Sequence, residues 1–183
     1  NDRETKLPIA IIEATIISAM RTGAVGGIAA KYLARKDSIT CGLLGAGVQA
    51  RTQAMAVKVG IPGIERFIVY DLDQDRVSAW CKEMSEFLNV QCKPMPFCEA
   101  IVREADVFVT VTTASHPFIK KEWIRPGHTE IHMASHEDEL DVIDRADKIV
   151  VDDWNQILHR AAQSIYFAFK EGVITDSDID AEL

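Results

Sequence analysis

The sequence predicts an α/β fold built on a doubly wound, mostly parallel sheet of six strands. Short apolar runs alternate with stretches of helical periodicity from residue 38 onward. One run, D-V-F-V-T-V at residues 106–111, is continuous, as in a strand buried on both faces of a parallel sheet. Right-handed crossovers between such strands predict the spatial order 3-2-1-4-5-6.

The predicted elements follow one another with short turns between them. The strands are expected at Ser38–Leu44, Phe67–Tyr70, Val90–Lys93, Asp106–Val111, Thr129–Met133 and Lys148–Val151. The helices are expected at Val48–Val59, Asp75–Leu88, Phe97–Arg103, Glu139–Ala146 and Gln156–Lys170.

Residues 1–37 precede the sheet and are expected to lie outside it. Leu7–Ile12 is predicted to be a strand, and Thr15–Arg35 a helix interrupted by its glycines, Gly23, Gly26 and Gly27. An apolar strand and helix in this position predict a connection from a second domain that is absent, so the chain is expected to be a fragment. Residues 38–155 form the predicted sheet domain, and residues 156–183 hold a helix that leads back to the absent domain.

The first predicted strand ends in a glycine-rich turn, Gly45-x-Gly47-x-x-Ala50, which opens a helix. Gly45 permits the tight turn, Gly47 lets the backbone approach a pyrophosphate, and Ala50 lets the helix pack on the strand. The helix N-terminus attracts phosphate through its free N–H groups and its dipole. Asp71 ends the second strand, 21 residues after Ala50. This layout predicts a Rossmann-type dinucleotide site; the alternative is a tight turn that binds no ligand.

The acid at the end of the second strand predicts NAD(H) in preference to NADP(H). Asp71 would accept hydrogen bonds from the adenosine ribose hydroxyls and repel a 2′-phosphate. Asp73 and Asp75 add negative charge beside it, and Arg76 is the one nearby cation in the sequence.

Composition and charge exclude several classes of partner. A net charge of −8 with scattered Lys and Arg argues against nucleic acid, whose binding needs clustered cations. No apolar run reaches the roughly 20 residues of a membrane span, and the polar start N-D-R-E-T-K has no signal-peptide pattern. The cysteines and histidines have no metal-ligand spacing, so no metal site is predicted and a reducing, cytoplasmic setting is expected.

Four segments together carry a resemblance to a known family. They are Met20-Arg21-Thr22-Gly23-Ala24, Gly45-Ala46-Gly47-Val48-Gln49-Ala50-Arg51, Asp147-Lys148-Ile149-Val150-Val151-Asp152-Asp153-Trp154 and Gly172-Val173-Ile174-Thr175. Over almost its whole length the chain resembles the ornithine cyclodeaminase/mu-crystallin family. Members of that family are longer and have a substrate and dimerisation domain. The resemblance therefore implies that this chain is the nucleotide-binding part of a homodimer.

The resemblance also implies NAD-dependent hydride transfer on a small α-amino or α-imino acid. In the cyclodeaminase branch the hydride leaves Cα, the side-chain amine attacks the resulting imine, ammonia leaves and the hydride returns. Other branches reduce cyclic ketimines or interconvert alanine and pyruvate.

Several residues acquire expected roles from this resemblance. Arg21 matches the arginine that grips the substrate carboxylate, a task suited to a planar guanidinium. Its alternative role is a helix-end arginine paired with a surface acid. Thr22 is expected near the cofactor phosphates or the nicotinamide, and Val48 and Gln49 near the phosphates.

Threonines cluster where the fourth strand ends, at Thr110, Thr112 and Thr113. Ligands of a doubly wound sheet bind outside the carboxyl ends of its strands, so Thr112 and Thr113 are expected to face the cofactor. Ser135, after the fifth strand, is expected to bind the cofactor as well. The alternative for Thr110, Thr112 and Thr113 is that they occur here only because threonine favours strands.

The loop after the fifth strand departs from the family pattern G-(S/A)-D, in which the aspartate acts on the substrate amine. The loop is shorter here, and His136 stands where that aspartate would be. One of His136, Glu137 and Asp138 is expected to serve as the catalytic acid or base. The alternative is an exposed loop that caps the next helix through Asp138.

Two rival functions stay open. One is a dinucleotide-binding protein without catalysis, of the mu-crystallin sort, which the displaced aspartate favours. The other is a hydroxyacid or shikimate-type dehydrogenase, which would need a catalytic His or Lys pair that the sequence does not offer.

Overall fold

The computed structural model describes all 183 residues, and it confirms the doubly wound α/β class. Five parallel strands form the main sheet in the order β3-β2-β1-β4-β5: β1 (Thr40–Leu44), β2 (Arg66–Tyr70), β3 (Gln91–Pro94), β4 (Val107–Thr110) and β5 (Thr129–His132). The helices are α1 (Thr15–Leu33), α2 (Val48–Gly60), α3 (Gln74–Leu88), α4 (Cys98–Glu104), α5 (Leu140–Asp144), α6 (Trp154–Arg160) and α7 (Ser164–Lys170).

The strand register brings the carboxyl ends of four strands together. Leu44 of β1 pairs with Tyr70 of β2 and with Thr110 of β4, and Thr110 pairs in turn with His132 of β5. The turns that follow these four residues therefore share one edge of the sheet. This is the edge at which doubly wound sheets bind ligands.

Helices cover both faces of the sheet, and each face has its own apolar core. Neighbouring β1 residues point to opposite faces, since Leu43 belongs to one cluster and Leu44 to the other. The larger cluster includes Trp80 of α3, and the smaller one joins Ile101 of α4 to Phe108 of β4. The continuous apolar character of β4 is explained by this burial on both faces.

Helix α1 is continuous across the glycines that were predicted to interrupt it. These glycines instead face α2 at very short range. A Cβ on Gly23 would lie 2.8 Å from the Cβ of Thr52, and a Cβ on Gly27 would lie 2.8 Å from the Cβ of Ala56. The predicted interruption is wrong because the missing side chains serve close helix packing, in which tertiary contact overrides the low helix propensity of glycine.

The predicted sixth strand forms, but it does not join the main sheet. β6 (Ile149–Val151) pairs in parallel with β7 (Ile179–Glu182) in a separate two-stranded sheet. Side chains of β7 hold the pair, because Asp180 accepts from the Ile149 N–H at 2.7 Å and Glu182 from the Trp154 N–H at 2.9 Å. The segment I-D-A-E was too short and too acidic to be predicted as the partner strand.

Two other predicted elements differ in the structure. Residues 7–12 are exposed and form no strand, since no neighbouring strand pairs with them. The predicted helix Gln156–Lys170 is two helices, because Ala161 has the left-handed conformation with φ 53° and ends α6.

No helix of the chain combines the length and the apolar character that a bilayer crossing requires.

His128, in the turn before β5, is expected to make folding sensitive to acid. Burial, with a smaller effect of Arg125, lowers the pKa of His128 to about 4. The unfolded chain therefore binds this proton more tightly, and the stability present above the ordinary histidine pKa of about 6.5 is lost as the pH falls toward about 4. With allowance for solvent screening, the loss is about 1 kcal/mol between neutral pH and about pH 5.

Urea unfolding at these two pH values checks the expectation. His128→Gln should remove this part of the pH dependence, whereas the same change at the exposed His159 should leave it intact. Equal pH dependence in His128→Gln and in the parent protein would contradict the assignment.

Candidate functional site

The glycine turn between β1 and α2 leaves the N-terminus of α2 open to a ligand. Gly45 has φ +104°, and a Cβ there would lie 2.8 Å from the Val111 carbonyl oxygen, so the turn requires glycine. Gly47 is different, because its φ is −82° and a Cβ there would meet nothing within 4 Å. Open space thus lies beside Gly47, where α2 begins with the exposed Val48. A phosphate could approach the backbone N–H groups of this first turn.

Asp71 is fixed against the turn. Its carboxylate accepts from the Ala46 N–H at 2.9 Å through one oxygen and from the Asp73 N–H at 3.0 Å through the other. The side chain keeps 17% of its exposure, so it is held at the rim of the sheet and still meets solvent. Each carboxylate oxygen can accept a further hydrogen bond. The predicted ribose acceptor is therefore also the residue that ties the glycine turn to the end of β2.

The one cation beside Asp71 is engaged by acidic residues. Arg76 lies 3.9 Å from Asp71 and 3.5 Å from Asp73, measured between guanidinium nitrogen and carboxylate oxygen. Asp73 also caps α3 by accepting from the Arg76 N–H at 3.0 Å. With Asp75 in the first turn of α3, the local charge stays negative, as the sequence predicted.

Helix packing brings Arg21 and Thr22 to the level of the turn. Gly23 lies against Thr52 and Gly27 against Ala56, so α1 and α2 run side by side in the same direction. The residues just before Gly23 therefore lie beside the first turn of α2. The Arg21 side chain is exposed and forms no ion pair or hydrogen bond, so the alternative of an arginine paired with a surface acid is wrong.

Two hydrogen bonds fix the same region of α1 and α2. The carbonyl of Thr22 accepts from the buried Gln53 side chain at 3.1 Å. The Thr52 hydroxyl donates to the Gln49 carbonyl at 3.1 Å. The predicted phosphate-side residues thus belong to a packed helix pair and not to a mobile loop.

Thr112, at the end of β4, is anchored to a buried carboxylate. Glu137 is fully buried and accepts from the Thr112 N–H at 3.0 Å and from the Thr112 hydroxyl. The Thr112 hydroxyl also accepts from the Ala114 N–H at 3.1 Å. Thr113 is exposed at the same edge, whereas Thr110 is buried. Thr113 is therefore the open position of the cluster, and the Thr112 side chain organises the loop.

Four ionisable side chains gather behind this loop. His132 Nδ1 lies 2.6 Å from Asp138 Oδ2 and 3.8 Å from Glu130 Oε1, and its Nε2 lies 3.8 Å from Glu137 Oε2. Burial and the neighbouring Asp138 raise the pKa of Glu130 well above its ordinary range. Burial works to lower the pKa of His132, but the hydrogen bond and charge of Asp138 outweigh it, so that pKa is raised.

The loop that carries the predicted acid or base is folded inward. Glu137 and Asp138 are buried, and the cap of α5 is Glu139 with no side-chain hydrogen bond. The alternative of an exposed loop that caps the helix through Asp138 is therefore wrong. The shorter loop folds both carboxylates under β5, where the His132 imidazole and Thr112 are their partners.

His136 and Ser135 remain nearest to solvent in this loop. The His136 ring lies 4.5 Å from the ring of Phe167 in α7, between centroids. Ser135 is exposed, and its carbonyl accepts from the Ser164 N–H at 2.7 Å. Of the three predicted acid or base candidates, His136 alone keeps a side chain outside the buried group.

Glu130, His132 and Ser164 are not predicted from the sequence. No sequence motif identifies Ser164, whose hydroxyl accepts a hydrogen bond from the Asp138 N–H at 3.2 Å. The signal for the other two was present, because residues two apart on a strand share one face. Glu130 and His132 have this spacing at the carboxyl end of β5.

The match to known proteins agrees with this architecture. Residues 1–175 match the ornithine cyclodeaminase/mu-crystallin family. Alanine dehydrogenase of Archaeoglobus fulgidus is 37% identical over all of this chain, which covers 56% of that protein. N-((2S)-2-amino-2-carboxyethyl)-L-glutamate dehydrogenase of Staphylococcus aureus is 32% identical over all of this chain, which covers 54% of it.

A solved structure agrees over the same extent. Thermococcus litoralis Δ1-pyrroline-2-carboxylate reductase, in complex with NADH and L-proline, has a TM-score of 0.90 and 38% identity. The alignment covers 100% of this chain and 57% of that one. The chain thus spans slightly more than half the length of the relatives it matches. It belongs to the ornithine cyclodeaminase/mu-crystallin family.

Proposed function

We propose that this chain forms the dinucleotide-binding portion of a longer NAD(H)-dependent oxidoreductase that acts on a small α-amino or α-imino acid. The observation that carries the proposal is the glycine turn. Its backbone requires glycine at position 45, Gly47 faces open space, and the Asp71 carboxylate accepts a hydrogen bond from the Ala46 N–H. Relatives that match over the whole chain are named as an alanine dehydrogenase and a pyrroline-2-carboxylate reductase, and the latter was solved with NADH.

The residues at the sheet edge fit this cofactor. The first turn of α2 would hold the pyrophosphate through its free N–H groups, and Asp71 would accept from the adenosine ribose. Thr112 and Thr113 would line the nicotinamide side together with Ser135. When bound, the nicotinamide supplies the hydride acceptor or donor.

Arg21 is the group best suited to orient the substrate. A guanidinium binds a carboxylate through two parallel hydrogen bonds. Arg21 lies beside the first turn of α2, and no acid of the chain pairs with it. We propose that it grips the substrate carboxylate, which holds Cα against the cofactor.

Reduction of an imino acid, with the reverse oxidation of an amino acid, is the reaction that this loop supports best. Cyclodeamination calls for a carboxylate free to act on the substrate amine. Glu137 and Asp138 are buried against Thr112 and His132, and His136 stands in their place. We propose that His136 forms a hydrogen bond with the substrate nitrogen.

Residues 1–37 are proposed to connect to the domain that completes the substrate site. The surface of this segment supports the proposal, because apolar side chains lie open along it. Ile9 is 72% exposed, Ile11 98% and Ile16 72%. Large apolar side chains exposed in one segment are typical of a protein interface, and a homodimer contact through the same domain would bury more of them.

Turnover of the full-length protein tests the proposed function. It should consume NADH with pyrroline-2-carboxylate, or with pyruvate and ammonium, and Arg21→Ala should raise KM for the acid. Conversion of ornithine to proline with release of ammonia and no net change in NADH would favour cyclodeamination instead. Tight NADH binding without turnover of any amino or imino acid would contradict the proposal and favour a binding protein.

The charge at position 71 is expected to set the preference for NADH. Asp71→Asn keeps an acceptor for the Ala46 N–H but removes the charge that repels a 2′-phosphate. We expect the ratio of NADPH to NADH affinity to rise by about fivefold, since one charge contact at this range is worth on the order of 1 kcal/mol. Fluorescence titration with both cofactors measures it. Asp37→Asn, at a paired surface acid ahead of β1 and so at the opposite end of the sheet, is the matched control, and equal ratios in both variants would contradict the assignment.

A further inference from the structure

Glu130, His132, Glu137 and Asp138 form a compact group that the proposed hydride transfer does not use. Glu130 and His132 project from the same face of β5, and the loop after the strand returns Glu137 and Asp138 to them. One ligand atom each of Glu130, His132 and Asp138 lies within 4.8 Å of the others. Three carboxyl groups thus surround a single imidazole.

His132 is the one basic side chain beside these three carboxyl groups. No Lys or Arg forms an ion pair with any of them, and the partners that they do have are His132, Thr112 and the Ser164 hydroxyl near the Asp138 backbone. Glu137 is fully buried and Asp138 keeps 4% of its side-chain exposure, yet Glu137 Oε2 and Asp138 Oδ1 accept no hydrogen bond. Buried acceptors of this kind are costly unless a proton or a cation satisfies them.

The two nitrogens of His132 face different groups. Nδ1 faces Asp138 and Glu130, whereas Nε2 faces Glu137. Nε2 and Glu137 Oε2 lie 3.8 Å apart, beyond hydrogen-bond range, so Glu137 flanks the second nitrogen without bonding to it. In a metal-binding histidine one nitrogen binds the ion, and a carboxylate near the other orients its N–H. Glu137 is itself held in place by the Thr112 N–H at 3.0 Å.

We propose that Glu130, His132 Nδ1 and Asp138 bind a divalent transition-metal cation of the Zn²⁺ class, with Glu137 orienting the imidazole. Two carboxylates and an imidazole are ligands that Zn²⁺, Co²⁺ and Mn²⁺ share, whereas the nitrogen ligand disfavours Mg²⁺ and Ca²⁺. The partly exposed Glu130 and His132 leave a route for the ion from solvent. The ion would fasten the loop of residues 133–139 to β5, directly behind Thr112.

Calorimetric titration with ZnCl₂ of the full-length protein, freed of metal by a chelator, tests the site. We expect one ion per chain, and His132→Asn should weaken binding by more than about a hundredfold, because even outer-shell partners contribute about 10–100-fold. Glu130→Gln should weaken binding similarly, and Glu137→Gln by about tenfold. His159→Asn, on the exposed side of α6, should bind as the parent does.

The fold of each variant is checked by thermal unfolding in the presence of chelator. Co²⁺ gives a second readout, because its visible spectrum should lose the nitrogen-ligand signature in His132→Asn and keep it in His159→Asn. Absence of stoichiometric binding by Zn²⁺, Co²⁺ and Mn²⁺ would overturn the proposal. Protons shared among the carboxyl groups would then offset their negative charge. Unchanged Zn²⁺ affinity in His132→Asn and Glu130→Gln would overturn it as well.

Discussion

Gly45→Ala is expected to destabilise the chain by about 2–4 kcal/mol and to abolish measurable NADH binding. A Cβ at this residue must accommodate φ +104° and a contact of 2.8 Å with the Val111 carbonyl oxygen. A left-handed or more extreme backbone costs a non-glycine residue about 1–3 kcal/mol, and the contact with backbone adds overpacking of about 1–3 kcal/mol. The turn can relieve both only by moving away from β4, which also displaces the α2 N-terminus.

Gly47→Ala is expected to weaken NADH binding without changing the stability of the fold. Its backbone has φ −82° and its added Cβ meets no atom within 4 Å, so the free energy of unfolding should stay within about 0.5 kcal/mol of the parent. The same methyl group would stand where a pyrophosphate approaches the backbone, and NADH affinity should fall by about tenfold or more. Gly63→Ala, with its nearest contact at an ordinary 3.6 Å, should change neither quantity.

Urea unfolding and calorimetric titration with NADH measure the two effects. If Gly47→Ala binds NADH as the parent does, the turn is not the phosphate site. If Gly45→Ala is as stable as the parent, the conformational requirement at that position is wrong.

The double change Gly23→Ala with Gly27→Ala is expected to lower the free energy of unfolding by about 2 kcal/mol. Each new methyl group meets α2 at 2.8 Å, and the atoms it meets include the backbone carbonyls of Thr52 and Ala56. Overpacking costs about 1–3 kcal/mol per site, and the better helix propensity of alanine returns only about 1 kcal/mol per site. The helices must therefore move apart.

Lys31→Ala is the matched control for this pair. Lys31 lies on the exposed side of the same helix, and its replacement should leave stability within about 0.5 kcal/mol of the parent. Thermal and urea unfolding of the two variants provide the comparison. A double variant as stable as the parent would show that α1 and α2 do not depend on the close approach.

The local patterns of the sequence predicted the centre of the fold. The strands β1, β2 and β4 and the turn at Gly45 follow from apolar runs and glycine chemistry within a few residues of each position, and the structure contains them. The position of Asp71 at the strand end was predicted from the same layout. Its bond to Ala46 was not, because it depends on the distance between two turns that are remote along the chain.

The remaining differences come from contacts that sequence periodicity does not encode. The glycines of α1 favour an interruption on helix propensity alone, and their role in packing depends on contact with α2. β6 paired with an acidic segment, because backbone hydrogen bonds and the Asp180 side chain provided the partner. The alternative of an open loop at His136 is wrong because Glu137 and Asp138 are buried against Thr112 and His132, through contacts that local sequence patterns do not encode.

The packing of α1 on α2 also has a mechanical consequence. Glycine contacts lock the two helices into one rigid unit, so the separation between Arg21 and the nucleotide turn is set by helix geometry alone. A cleft that opens and closes around substrate would therefore leave that separation unchanged.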